Sequence, residues 1–339
     1  MNRSLLLVIL TIFLLPCGCM KPPSPAKGPV KKSLILMDTL IEIAAYGNRN
    51  VADKAVKEAI KEMKRLDAIF DRHKESSFAR KFDNNAGFKP LTAPPEFLAV
   101  LSASGKLVKA SNGSFDPTIA PALDAYSFDA KSPYIPREEE LSELLKLRDW
   151  SKVLLDEQKG QAALLQKGMA IDLGGVAKGF IVDTGLQKLR QGGVEAALIN
   201  AGGDLATFGR KWSKDPFRIG IQHPDDPKTI TGVLRLTDCA VATSGDYERY
   251  VEVDGKRYHH LLHPKTGRPS RKSRSATVVT TSALVADALA TSVFILGPKE
   301  GIAFAERLPK VEASVVSPQG KTFSTTGFDK WLERGLGNE

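Results

Sequence analysis

Asp287 and Thr291 lie four residues apart in Ser282 to Leu296, a segment that is apolar nearly all round. Helical geometry puts the two on one face. An ionised carboxylate on a buried helix needs a partner, either a basic side chain, a loop to cap or a metal. If it is a metal, oxygen donors favour a hard cation such as Mg²⁺. Two glycine-rich strings follow strand-like runs: Asp172-Leu173-Gly174-Gly175-Val176-Ala177-Lys178-Gly179 and Asn200-Ala201-Gly202-Gly203-Asp204. Their backbone N–H groups could face phosphate, or they could simply be tight turns; neither string is a dinucleotide fingerprint or a Walker loop. Three further strings are polar: SNGSFDPT (Ser111 to Thr118), ATSGDYERY (Ala242 to Tyr250) and HHLLHPKTGRP (His259 to Pro269). Each contains a credible turn. Zinc at His259, His260 and His263 is disfavoured, because adjacent histidines on a strand point to opposite faces and no cysteine cluster assists.

The elements that must position these residues follow from periodicity. A long apolar strand is expected from Leu34, ending at Gly47-Asn48. A helix capped by Asn50 follows, with Val56, Ala59, Ile60, Met63, Leu66 and Phe70 on one face. Further helices are expected from about Pro94 to Ala110 and, short and acidic, from near Pro136. The second half alternates: a strand Met169 to Leu173, a glycine turn, a helix bearing Val182, Leu186 and Leu189, and a strand Val194 to Asn200. A half-buried strand around Phe217, Ile219 and Ile221 comes next, then a hairpin turning at Asp254-Gly255. Ser275 to Thr280 is a last strand, and Ser282 caps a helix that should stop at Gly297-Pro298. The sum is an α+β fold with mixed β-sheets and packed helices, forming one functional unit from residue 33 onward.

The chain has 339 residues, 42% hydrophobic and 26% charged, an ordinary globular composition. Its net charge of +9 is scattered, and only 7% of residues are aromatic, so a stacked nucleic-acid platform is excluded. Residues 1–18 read as a leader: Arg3, an apolar run from Leu5 to Leu15, then Pro16-Cys17-Gly18-Cys19. Gly18 before Cys19 resembles a bacterial lipoprotein cleavage site, with Cys19 the lipidated residue. Residues 19–32, rich in Pro and Lys, read as a tether.

Taken together and in this order, SNGSFDPT, IDLGGVAKG, NAGGD, VATSGDYER, HPKTG and the DALAT of Asp287 to Thr291 resemble the ApbE family of FAD:protein FMN transferases, from about Met37 to Phe328. The resemblance implies a flavin-binding α+β fold and Mg²⁺-dependent cleavage of FAD. FMN would pass through a phosphoester to a Thr or Ser of a partner protein, a membrane-associated redox subunit, with release of AMP. By motif position it implies metal ligation by Asp287, Thr291 and the Gly175 carbonyl. FAD contacts fall at Met37, His73, Ser114, Phe115, Asp116, Asp172, Lys178 and the Leu261 backbone, and His260 is the reactive histidine. The implied location is outside the cytoplasm, lipid-anchored to the inner membrane and facing the periplasm, or on the outer face of the cytoplasmic membrane.

Three positions depart from the family pattern. His263 stands for the usual Asp before Pro-Lys-Thr-Gly, Asp38 for Gly, and His73 for an aromatic Tyr. Two other activities use the same residues: FAD pyrophosphatase action, with water as acceptor, and FAD binding without chemistry. The leader reading carries its own test. Cys19→Ser should move the protein from the membrane to the soluble fraction, whereas Cys17→Ser should leave it anchored. Release by Cys17→Ser alone would transfer the assignment to Cys17, and release by neither would end the lipoprotein reading.

Overall fold

The computed structural model describes residues 28–333; the leader, with Cys17 and Cys19, and most of the tether lie outside them. Eight strands build one antiparallel sheet whose spatial order is their order in the chain. They are β1 (Val30–Leu36), β2 (Thr39–Tyr46), β3 (Ala196–Ala201), β4 (Asp204–Phe208), β5 (Ala240–Gly245), β6 (Ser275–Thr280), β7 (Glu312–Val316) and β8 (Thr322–Ser324). The α+β reading holds.

Side chains alternate across this sheet with the two-residue period of strands. Ala197, Ile199, Ala206, Ala240, Ala242, Ala276, Val278 and Ala313 turn to one face. Ala196, Leu205, Val241 and Val279 turn to the other, where the hairpin of Phe217–Gln222 and Ile230–Leu236 covers them together with Phe328. The first face is lined mainly by alanine, so helices can lie close on it. Those are α3 (Gly174–Gln191) and α4 (Ala283–Ala305), with α1 (Arg49–Phe70) outside α3 and α2 (Pro95–Ala110) beside it. By length and composition α4 could cross a membrane, but here it is the buried central helix.

The crossing of α3 and α4 depends on two residues. A Cβ on Gly179 would lie 2.3 Å from the Ala283 carbonyl oxygen, so only glycine permits this approach. One turn on, the Asp183 carboxylate accepts hydrogen bonds from Ser282 Oγ (2.7 Å), Ala283 N (2.8 Å) and Leu284 N (3.1 Å). It thereby satisfies the first N–H groups of α4, which no residue within that helix can do.

Several elements differ from their sequence expectation. The strand expected from Leu34 to Gly47 is the β1–β2 hairpin, because Met37 (φ 54°) and Asp38 (φ 55°) both adopt the left-handed conformation of a tight turn. Asp is among the few non-glycine residues that tolerate it, so Asp38 can hold a turn position at which the resemblance implied Gly. The strand also starts at Val30, inside the expected tether. Asn48, not Asn50, caps α1, accepting from the backbone N–H groups of Asn50 and Val51. Met169–Leu173 forms no strand and joins no ladder, and Leu173 (φ −91°, ψ 6°) already turns into the following glycines, which form the first turn of α3 rather than a separate turn. ATSGDYERY is not a loop throughout, since its first residues belong to β5.

The helix from Ser282 breaks at Gly297-Pro298 as expected, Gly297 being non-helical (φ 84°, ψ −176°), but a second helical stretch follows the kink and carries α4 on to Ala305. Pro298 has no N–H for the Phe294 carbonyl. Ser273 Oγ supplies a donor to that oxygen at 2.9 Å, and Ser270 Oγ does the same for Ile295 at 3.3 Å. Buried carbonyls freed by the break are therefore satisfied.

Asp183→Ala should strand buried N–H groups at the start of α4 and lower unfolding stability by about 1–3 kcal/mol. Urea denaturation checks this; a loss below about 0.5 kcal/mol would mean that the cap contributes little.

Candidate active site

A cavity of about 950 Å³ opens between the sheet-and-helix body and a small lobe built from the helices Ala120–Asp124 and Glu138–Leu145. The lobe is tied to the HPKTG loop by Tyr126, whose hydroxyl donates to the Gly267 carbonyl at 2.8 Å, and by Arg268, which donates to the Pro136 carbonyl at 3.0 Å. Every site residue expected from the sequence within the described residues lines this one cavity: Met37, His73, Ser114, Phe115, Asp116, Asp172, Gly175, Lys178, His260, Leu261, Asp287 and Thr291. They come from six separate stretches of chain.

The floor is where α3 and α4 meet. Asp287 is buried, and its one hydrogen bond among the described residues is a long one, 3.4 Å from the Gly179 N–H. Burial raises its pKa well above the ordinary carboxylate value, and the nearby carboxylates Asp204 and Glu248 add to that; Lys178 and the Gly179 N–H oppose it. Thr291, one turn on, shares a 3.4 Å hydroxyl contact with Ser244. A Cβ on Gly175 would meet Thr291 Oγ1 at 3.6 Å and the Phe115 ring at 3.3 Å, so the bare glycine backbone comes up against the same corner. Carboxylate, hydroxyl and backbone thus converge.

Lys178 is ion-paired with Asp204. Burial alone would depress its pKa, but Asp204 and Asp287 outweigh that and hold the ammonium charged. Glu248, at the cavity wall, is pushed up to about 7, chiefly by desolvation and also by Asp204, against the pull of Lys178.

His260 is half-buried, and its Nδ1 lies 3.2 Å from the Arg249 carbonyl. That carbonyl can only accept, so Nδ1 carries the hydrogen and Nε2 is left with its lone pair. Desolvation, then the Arg249 and Lys178 charges, lower its pKa to about 4, against the opposing effect of the backbone hydrogen bond. His259 faces away from the cavity: it is buried, with Nε2 2.9 Å from the Ser270 carbonyl and Nδ1 accepting the Leu261 N–H at 3.3 Å.

Other residues in the cavity wall already have partners. The oxygens of Asp116 accept from Thr118 N (3.0 Å), Thr118 Oγ1 (2.6 Å) and Arg148 (2.7 Å). Asp172 accepts from the Gly174 N–H at 2.8 Å, holding the start of α3. Ser114 donates to the Ser111 carbonyl at 3.0 Å, and the Leu261 carbonyl accepts from Ser270 N at 3.0 Å. His73 is exposed at the rim, and Met37 caps the β1–β2 turn. His263, in place of the expected Asp, accepts the Lys265 N–H on Nδ1 at 3.2 Å. A carboxylate oxygen at that position would make the same two-residue loop closure. The imidazole replaces its acceptor but not its charge.

Among the charged cavity residues to which sequence reasoning gave no role are Arg72, Asp204, Glu248 and Arg249. Asp204 had a signal, since it ends a glycine pair with φ of 61° and 102° that turns β3 into β4. Arg72, ion-paired with Asp83 (3.0 Å) and Asp124 (2.6 Å), had none, because its partners are distant in sequence.

A family model described as the ApbE family matches residues 37–315. The FAD:protein FMN transferase of Klebsiella pneumoniae (strain 342) is 31% identical, over 84% of this chain and 88% of its own length. That of Treponema pallidum (strain Nichols) is 27% identical, over 87% and 86%. Among solved structures, the ApbE protein of Thermotoga maritima superposes with a TM-score of 0.84 at 29% identity, covering 90% of this chain and 100% of that one. The apo flavinyl transferase ApbE of Pseudomonas stutzeri gives 0.80 at 27%, covering 91% and 98%.

The buried His259 makes stability depend on pH. Burial lowers its pKa to about 4, so an unfolded chain takes up the proton first as pH falls from about 6.5. Its contribution is complete above that pH and is lost toward 4. The difference in unfolding free energy between the parent and His259→Gln should therefore shrink by about 1–2 kcal/mol between pH 7 and pH 5. A difference that stays constant with pH would show that the ring is not held neutral by the fold.

Proposed function

This chain belongs to the ApbE family, and from that membership we propose that it is an enzyme, a FAD:protein FMN transferase, acting at the cavity floored by α3 and α4. The observation that carries the reading is the corner where buried Asp287 meets Thr291 and Gly175. Among the described residues no cluster of three His, Cys, Asp or Glu side chains could hold a metal alone. A single under-bonded carboxylate with a hydroxyl and a carbonyl suits Mg²⁺, which takes few protein ligands and completes its shell with water and substrate phosphate. Asp287, Thr291 and the Gly175 carbonyl are the ligands in this proposal. A Mg²⁺ bound there would draw charge from the pyrophosphate and ease the departure of AMP.

The chain's own groups do the rest. The start of α3, with Gly174 and Gly175 in the cavity wall, presents its positive end to the pyrophosphate. Lys178, held charged by Asp204, adds a fixed cation beside it. The flavin occupies the side walled by Met37, His73, Ser114 and Phe115, with Leu261 beneath; Asp116 and Asp172 shape that wall through their own hydrogen bonds. His260 Nε2 accepts the proton of the incoming Thr or Ser hydroxyl. A pKa of about 4 keeps the ring unprotonated at neutral pH, and a bound pyrophosphate would raise its basicity.

The acceptor in this proposal is a membrane-associated redox subunit, and the enzyme is exported and anchored through Cys19, on the strength of the leader and tether composition. The test is incubation with FAD, Mg²⁺ and a purified candidate acceptor, followed by intact mass of the acceptor and assay of AMP and free FMN. The parent should add FMN to the acceptor and release AMP in equal amounts. Asp287→Ala and chelation by EDTA should both abolish cleavage. His260→Ala should slow transfer by roughly 10²–10⁴ while FAD still binds. Free FMN without labelled acceptor would identify a pyrophosphatase instead, and full activity of Asp287→Ala in EDTA would remove the metal from the account.

A further inference from the structure

The hairpin of Tyr250–Val253 and Lys256–His259 has its register fixed by Asp254 (φ 51°) and Gly255 (φ 69°), the left-handed pair of a two-residue turn. Tyr250 lies opposite His259. The next pair along is therefore Arg249 and His260, and the His260 N–H donates to the Arg249 carbonyl at 3.2 Å. Residues directly opposite on antiparallel strands put their side chains on the same face, with Cβ atoms about 5 Å apart. The arginine thus emerges beside the histidine, and both line the cavity.

The other cations in that wall are occupied. Arg72 is ion-paired with Asp83 and Asp124, Lys74 with Asp67 and Asp71, and Lys178 with Asp204. Among the described residues Arg249 makes no ion pair; its guanidinium rests over the Phe128 ring at 5.1 Å, on the lobe side of the cavity. An uncommitted guanidinium next to the group that takes the proton is placed to meet an anion, and its planar fork matches phosphate oxygens.

We propose that Arg249 is a catalytic residue of FMN transfer that grips the non-bridging oxygens of the flavin-side phosphate, the one under attack. This rests on the transferase reading above. In the step, the acceptor oxygen forms a bond to that phosphorus as the bond to the AMP oxygen breaks. The hydroxyl proton passes to His260 Nε2, and AMP leaves with the electron pair. Negative charge on the equatorial oxygens is held by the guanidinium throughout, which is the main service a protein can render in phosphoryl transfer.

The test separates the two phosphates by ligand. Riboflavin lacks a phosphate, FMN has only the flavin-side one, and AMP only the other. Fluorescence titration of the full soluble chain with riboflavin and FMN, and calorimetry with AMP, should show that Arg249→Gln weakens FMN binding about ten- to a hundredfold. Riboflavin and AMP binding should be unchanged, and Arg249→Lys should recover part of the FMN loss. Transfer to the acceptor should fall in the same order of variants. Unchanged FMN binding, an equal loss for riboflavin and FMN, or a loss confined to AMP would each overturn the assignment. If the parent shows the FMN preference but transfers nothing to protein, the transferase reading fails and the phosphate contact stands as a binding site only.

Discussion

Everything at the site depends on how closely α3 and α4 approach. Gly179 lets the backbone of one helix touch the start of the other, and Asp183 fastens them by taking up the N–H groups of Ser282's helix. Close contact brings the Gly179 N–H to Asp287 and the Gly175 backbone to Thr291. A methyl group at residue 179 would have to push the helices apart, and the corner would open before any ligand arrived. The alanine-rich face of the sheet serves the same end, since small side chains beneath let both helices sit low.

Charge is the second theme. Asp204, Asp287 and Glu248 act on one another around a single ammonium, Lys178. Burial first, and the neighbouring carboxylates second, hold Asp287 and Glu248 above the ordinary carboxylate value; one cation cannot neutralise three acids, so the pocket favours a further positive charge. That is the electrostatic reason to expect a divalent cation, and it agrees with the ligand chemistry of the corner. Arg249 and His260 are balanced the other way: the imidazole is kept neutral and the guanidinium is free to meet phosphate.

Much of this was legible in the chain. Asp287 and Thr291 announced themselves as polar residues at helical spacing in an apolar run, and the Asp254-Gly255 turn gave the hairpin whose register pairs Arg249 with His260. What escaped were features set by partners far away in sequence. The Met37-Asp38 turn was hidden in a strand-like run, because Met37 is not a usual turn former and Asp38 has no glycine or proline beside it. The helix break at Gly297 was visible, but its continuation was not, since the serines that satisfy the freed carbonyls come from a loop some twenty residues earlier. The individual roles of Asp116 and Asp172 were also hidden: both line the cavity, yet their oxygens hold backbone in place.

The central claim is that a cation sits at the corner of Asp287, Thr291 and Gly175 and works on the FAD pyrophosphate. The most direct measurement is an anomalous difference map from crystals grown with FAD and Mn²⁺ in place of Mg²⁺. The account predicts one strong peak within coordination distance of the Asp287 carboxylate, Thr291 Oγ1, the Gly175 carbonyl and a pyrophosphate oxygen. A metal bound elsewhere in the cavity, or FAD bound with the Lys178 ammonium occupying that corner and no peak, would contradict it.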